Sequence, residues 1–231
     1  MVKVKILSRS SFNKFILICL LWLIALVKLS LLQAAEEIPI VERQSVSFED
    51  ILELPYRVSD YKVYYGVGSL QFGRLWLPTG KNNGTIIFIH GGCWMNEYNI
   101  DHTYAFATEL ASVGYAVWSL EYRRTGDLGG GWPGTFADVI SGINKLKDLS
   151  NFGLDMEKLV LMGHSAGGHL AILAGARAEL IDVKPSLVVG LAAITDVITY
   201  ANGQNSCQQS ASAFMGGSPD ERPDAFEEVQ A

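Results

Sequence analysis

The feature that most constrains the fold is a five-residue turn caught between two apolar runs. Leu159-Val160-Leu161-Met162 has the composition of a strand buried on both faces, and Leu170 to Ala178 reads as a helix with almost no polar face. Between them stands Gly163-His164-Ser165-Ala166-Gly167. A strand that reverses into a helix over so few residues forces the central one, Ser165, into a strained backbone state. Its hydroxyl is then lifted above the carboxyl end of a sheet. The helix N-terminus that follows favours developing negative charge beside it. Set between strand and helix, the pattern predicts a nucleophilic serine. The competing reading is a glycine-rich turn that only packs helix on sheet.

The rest of the chain alternates in the same way. Tyr61–Tyr65 and Leu70–Leu77, aromatic and β-branched around Gly66 and Gly68, read as two paired strands. Thr85–Ile89, Tyr115–Leu120 and Leu187–Ala193 are further short apolar strands. A helix with Asp101 as N-cap, reaching about Ser112, and a second carrying Phe136, Val139, Ile140, Ile143 and Leu146 fall between them. Consecutive strands separated by helices run parallel. The expected fold is therefore α/β: a three-layer open sheet, mostly parallel, with a leading antiparallel hairpin. Residues 36 to about 60, with Pro39 and Pro55, read as a surface approach segment.

Composition narrows the function. With 18 Lys+Arg against 24 Asp+Glu the chain lacks the basic excess that phosphate neutralisation needs, so no nucleic-acid partner is expected. At 49% hydrophobic and 18% charged residues it is not a disordered chain either. Residues 1–35 stand apart. They carry Lys3, Lys5, Arg9, Lys14 and Lys28, no acid, and an unbroken apolar run from Phe15 to Val27. This describes a secretory signal peptide or, over residues 15–32, a short membrane anchor. Either one exports the domain of residues 36–231, to the periplasm or medium or to the outer side of a membrane. Cys93 and Cys207 remain in that domain and could pair, although their distance in space is not legible from sequence.

A second glycine motif, His90-Gly91-Gly92-Cys93-Trp94, directly follows the strand Thr85–Ile89. Acyl transfer develops an oxyanion that fixed donors must meet, and backbone N–H groups serve only where side chains leave room. The amides of Gly92 and Cys93, with that of Ala166 from the serine turn, are the candidate oxyanion hole. The alternative is a tight turn that needs glycine for its dihedrals. Together with Glu121-Tyr122-Arg123-Arg124 and Gly130-Gly131-Trp132-Pro133-Gly134, these motifs resemble the α/β-hydrolase superfamily, and most of all its small esterase and kynurenine-formamidase-like branch. The resemblance runs from about Tyr61 onward. It implies a serine nucleophile activated by a histidine that an acid orients, no metal or organic cofactor, and a small-molecule acyl ester as substrate.

One expectation of that family is unmet. Its triad partners follow the serine in the order acid, then histidine, and no histidine follows His169. Of the four histidines, His90, His164 and His169 read as structural, and His102, at a helix start, is the one mobile candidate. Asp196, at the end of a strand, reads as a pocket-wall or capping residue with a weaker claim as triad acid. Asp138 reads as a solvated or capping carboxylate at a helix start. Trp94, Tyr98, Trp132 and Phe214 could line an acyl pocket or belong to the core. The expectation is a hydrolase lacking its C-terminal part, nearly inactive as this chain, with an open sheet edge. A pseudoenzyme or gene fragment, a membrane-tethered binding module and an arylformamidase-type amide hydrolase are the alternatives.

Overall fold

A computed structural model describes residues 46–230. The segment read as signal peptide or anchor, with its apolar residues 15–32, lies outside the described residues. Among the described residues, no helix is long and apolar enough to cross a membrane.

Six strands form one sheet: β1 (Tyr61–Tyr64), β2 (Phe72–Trp76), β3 (Gly84–Ile89), β4 (Tyr115–Leu120), β5 (Leu159–His164) and β6 (Leu187–Leu191). Their order is β1-β2-β4-β3-β5-β6. The β1–β2 and β2–β4 pairs are antiparallel, while β4, β3, β5 and β6 run parallel. This is the open, mostly parallel sheet with a leading hairpin that the alternation predicts. The helices are α1 (Phe48–Leu52), α2 (Tyr104–Ser112), α3 (Gly134–Asn144), α4 (Ala166–Ala176), α5 (Val197–Ala201), α6 (Ser206–Met215) and α7 (Pro223–Glu228).

The sheet is buried on both faces, so its central strands read as continuous apolar runs rather than alternating ones. Ile87 and Ile89 of β3 enter one core with Trp118, Leu120, Val139, Leu170 and Phe214. Phe88, pointing the other way, packs with Phe72, Trp76, Val117 and Ala107 beneath α2. β6 forms one edge and leaves Leu187 and Val188 exposed.

Three local readings are corrected. Asp101 does not cap α2. It lies inside a 3-10 turn, Ile100–Thr103, whose cap is Asn99, with the Asn99 side chain accepting from the Asp101 amide at 3.0 Å. Asp138 is neither solvated nor a cap. It sits in the middle of α3, 2% exposed, and accepts from the Arg123 guanidinium at 2.6 and 2.7 Å. The approach segment contains a short helix, α1, closed by a Ser47–Asp50 capping box.

Register is what assembles the site. Ile89 of β3 lies beside Gly163 of β5 and beside Leu120 of β4. The loop that leaves β3 at His90 therefore meets the turn leaving β5 at Ser165 and the segment leaving β4 at Glu121.

Candidate active site

Ser165 joins β5 directly to α4, with φ 53° and ψ −119°. A non-glycine residue rarely adopts this backbone, which costs on the order of 1–3 kcal/mol. The turn is fastened on both sides: the Ser165 amide donates to Leu191 O at 2.8 Å, and Ser165 O accepts from the His169 amide at 3.0 Å. Close packing explains the small flanking residues. A side chain on Gly167 would collide with the carbonyl oxygens of Ile89 and His90 at the end of β3. Ser165 stays partly exposed and lines a cleft of about 360 Å³ with Ala192, Ile194, Asp196, Tyr200 and Gln208.

The glycine loop comes up against this turn. A Cβ on Gly91 would lie 2.7 Å from His164 O and 3.2 Å from Ser165 Cβ, so only glycine lets the two segments touch. Gly92, Cys93 and Trp94 then follow with φ of 111°, 53° and 58°. The loop's carbonyls are used: Met95 N donates to Gly92 O at 2.9 Å and Thr125 N to Trp94 O at 2.8 Å. Among the described residues the amides of Gly92, Cys93 and Ala166 donate to no protein acceptor. They remain available to an anion.

A buried polar cluster supports the loop from below. The His90 ring, fully buried, places Nδ1 2.7 Å from Gly91 O and Nε2 3.0 Å from Glu121 Oε1. It stacks on Tyr122 at 4.3 Å, and the Tyr122 hydroxyl donates to His90 O at 2.7 Å. Glu121 also accepts from the amides of Ile100 and Tyr122 at 3.1 and 2.9 Å, and its carboxylate lies 3.4 Å from Arg124. Burial works to raise the Glu121 pKa, but His90, Arg124 and these amide donors outweigh it and hold it below the usual carboxylate value.

None of the four histidines hydrogen-bonds the Ser165 hydroxyl among the described residues. Both nitrogens of His90 are engaged elsewhere. His169 donates from Nε2 to Val229 O at 2.8 Å in the core, and burial pushes its pKa down to about 4. His102 lies half-buried in the 3-10 turn, and burial lowers its pKa to about 4. Partial burial lowers the His164 pKa. It lines a separate apolar hollow of about 210 Å³ with His102, Phe88 and Leu191. Asp196 caps α5, accepting from the Thr199 amide at 2.9 Å and its hydroxyl at 2.6 Å, and no histidine contacts it.

The structure makes one pairing that the sequence leaves open and adds a helix, α6, absent from the expected elements. Cys93 and Cys207 form a disulfide with Cα atoms 5.1 Å apart across 114 residues of chain, a pairing that sequence left open. Helix α6 carries Cys207, and also Gln208 of the Ser165 cleft. Its signal was present as Asn205-x-x-Gln208, an N-terminal capping box that closes in the structure at 2.9 and 3.1 Å. Of the four aromatics considered for an acyl pocket, Trp94 and Phe214 are core, stacked at 4.9 Å.

Known proteins resemble this chain over much of its length. The BD-FAE family profile matches residues 75–231. The esterase LipC of Mycobacterium tuberculosis is 30% identical over 148 residues, which cover 62% of this chain and 36% of that protein. The kynurenine formamidase of Meyerozyma guilliermondii is 28% identical over 170 residues, covering 67% of this chain and 63% of that protein. The chain thus spans between about a third and just under two thirds of these relatives. Among solved structures, esterase B from Lactobacillus rhamnosis superposes with a TM-score of 0.66 at 22% identity, over 90% of this chain and 68% of that one, a likeness of fold.

Proposed function

Because this chain belongs to the BD-FAE family, within the esterase branch of the α/β hydrolases, we propose that it is built to cleave small carboxylic esters through Ser165. The observation that carries this reading is the strained turn itself. Ser165 is held at φ 53° against a glycine loop whose amides have no protein partner. In the reaction Ser165 Oγ attacks the ester carbonyl, the carbonyl oxygen becomes an alkoxide, and the amides of Gly92, Cys93 and Ala166 donate to it. The acyl group passes to Oγ, the alcohol leaves, and water releases the acid. Each fixed donor is worth roughly 10²–10³ in rate, because it is already oriented where charge develops.

The attacking hydroxyl must also lose a proton, and no imidazole among the described residues is placed to take it. The 231-residue chain is accordingly a weak hydrolase, down by about 10⁶ from a complete triad and left with what charge stabilisation and binding supply. This same observation favours the second reading, a pseudoenzyme. We place the domain in an exported, oxidising compartment. The basic and apolar leader supports this, as does a disulfide, which persists there.

A fluorophosphonate probe tests the nucleophile: prolonged incubation labels Ser165 in the wild type and labels nothing in Ser165→Ala. Equal labelling of the two, or none in either, rejects the serine mechanism. Parallel assays on p-nitrophenyl acetate and on an N-formylated arylamine separate ester from amide hydrolysis, and the ester is the faster substrate in this reading.

A further inference from the structure

We propose that helix α6 is a clamp for the oxyanion loop, with Cys207 and Phe214 as its positioning residues; this rests on the serine-hydrolase reading and deepens it. The loop needs a clamp because its conformation is intrinsically unfavourable. Cys93 and Trp94 are consecutive non-glycine residues at φ 53° and 58°. A Cβ crowds the carbonyl oxygen in that region, so a free chain leaves it. The loop's backbone hydrogen bonds engage the carbonyls of Gly92, Trp94 and Met95 and the amides of Met95, Asn96 and Tyr98, and none restrains the amides of Gly92 or Cys93.

Both strained residues are instead gripped from the same helix. Cys93 is bonded to Cys207 in the first turn of α6. Trp94, fully buried, lies parallel to Phe214 in its last turn, with ring centroids 4.9 Å apart and an interplanar angle of 11°. The helix is fixed in turn at its far end, where Phe214 O accepts from the Trp132 amide at 2.8 Å, and its first turn is closed by the Asn205–Gln208 capping box. Two grips at opposite ends of one helix hold adjacent residues of the loop. Neither is supplied by the loop itself or by the strand that precedes it.

An oxyanion donor acts only in the transition state, so loosening it lowers kcat while leaving ground-state binding intact. Loss of one donor costs about 10²–10³-fold, and a donor that wanders costs part of that.

The test compares three samples: the oxidised 231-residue chain, its Cys207→Ser variant, and the oxidised chain treated with a phosphine reductant. In the last, the disulfide takes up two electrons and two protons to give two thiols, and the phosphine becomes its oxide with the oxygen of water. Amide hydrogen exchange reads the loop without any need for activity. In both disulfide-free samples exchange over residues 90–98 rises about tenfold or more, while residues 159–164 of β5 stay within about twofold. Unchanged exchange over 90–98 overturns the clamp. Equal acceleration in β5 also overturns it, because that marks general loosening. The phosphine acts on a chain already folded, so a Cys207→Ser variant that fails to fold does not void the test. Where the wild type turns over p-nitrophenyl acetate, kcat falls about 10- to 100-fold in Cys207→Ser with KM within about twofold; a raised KM at unchanged kcat overturns the proposal. A wild type that neither hydrolyses nor labels at Ser165 refutes the hydrolase reading alone, and the exchange data still decide the clamp.

Discussion

His169 makes the stability of this domain depend on pH with a calculable sign and size. Its ring is fully buried between α4 and the C-terminal segment, edge-on to Trp94 at 5.6 Å and to Phe214 at 6.4 Å. Nε2 donates to Val229 O at 2.8 Å, and Nδ1 has no partner. A second proton would bury a charge together with a donor that has no acceptor, and burial accordingly lowers the pKa from 6.5 to about 4. The folded pKa lies below the unfolded one, so between those values the unfolded chain binds more protons. The stabilisation is complete above about pH 6.5 and is lost as the pH falls toward 4. The full span is about 3 kcal/mol, of which about 2 kcal/mol disappears between pH 7 and 5. Urea unfolding followed by tryptophan fluorescence at pH 7, 6 and 5 measures it, with His169→Phe as the comparison. The variant gives up the Val229 hydrogen bond, at about 1 kcal/mol, but titrates less. His102 and His164, which shift in the same direction, remain in both proteins and cancel in the difference. Wild type and variant losing stability in parallel between pH 7 and 5 would refute the reasoning.

Two further substitutions probe the scaffold of the site. Gly167→Ala drives a methyl group into the backbone oxygens of Ile89 and His90, which cannot move without disturbing the sheet; fluorophosphonate labelling of Ser165 falls at least tenfold and thermal unfolding comes several degrees earlier. Glu121→Ala strips the partner from buried Arg124 and from the His90 ring, and costs about 3–5 kcal/mol in urea unfolding. Glu121→Gln keeps the shape and most acceptor contacts, and loses less.

What could be read without coordinates follows the range of the interactions. The strands β3, β4 and β5 are buried on both faces, so apolar composition alone marks them, and the turn at Ser165 follows from strand and helix abutting. The order β4-β3-β5 was not legible, because no local signal says which parallel strand lies beside which. The environment of Asp138 is hidden for a related reason. Its partners Arg123 and Gln71 lie 15 and 67 residues away, so a carboxylate on a helix reads as solvated although it is buried against a half-exposed Arg123. Helix α6 is hard to read because its Ser and Gln residues dilute the apolar ones, although its capping residues are in plain view. The site divides along the same line. The half proposed to stabilise charge is made by two short turns leaving neighbouring strands, β3 and β5, and is legible because each turn is local. Moving a proton from Ser165 needs a side chain delivered from another part of the fold, and no histidine among the described residues hydrogen-bonds that hydroxyl: His90 holds its loop, His169 bonds in the core, and His102 and His164 line the apolar hollow. In the proposed mechanism the amides of Gly92, Cys93 and Ala166 set the geometry before reaction, and the proton acceptor is the separable part.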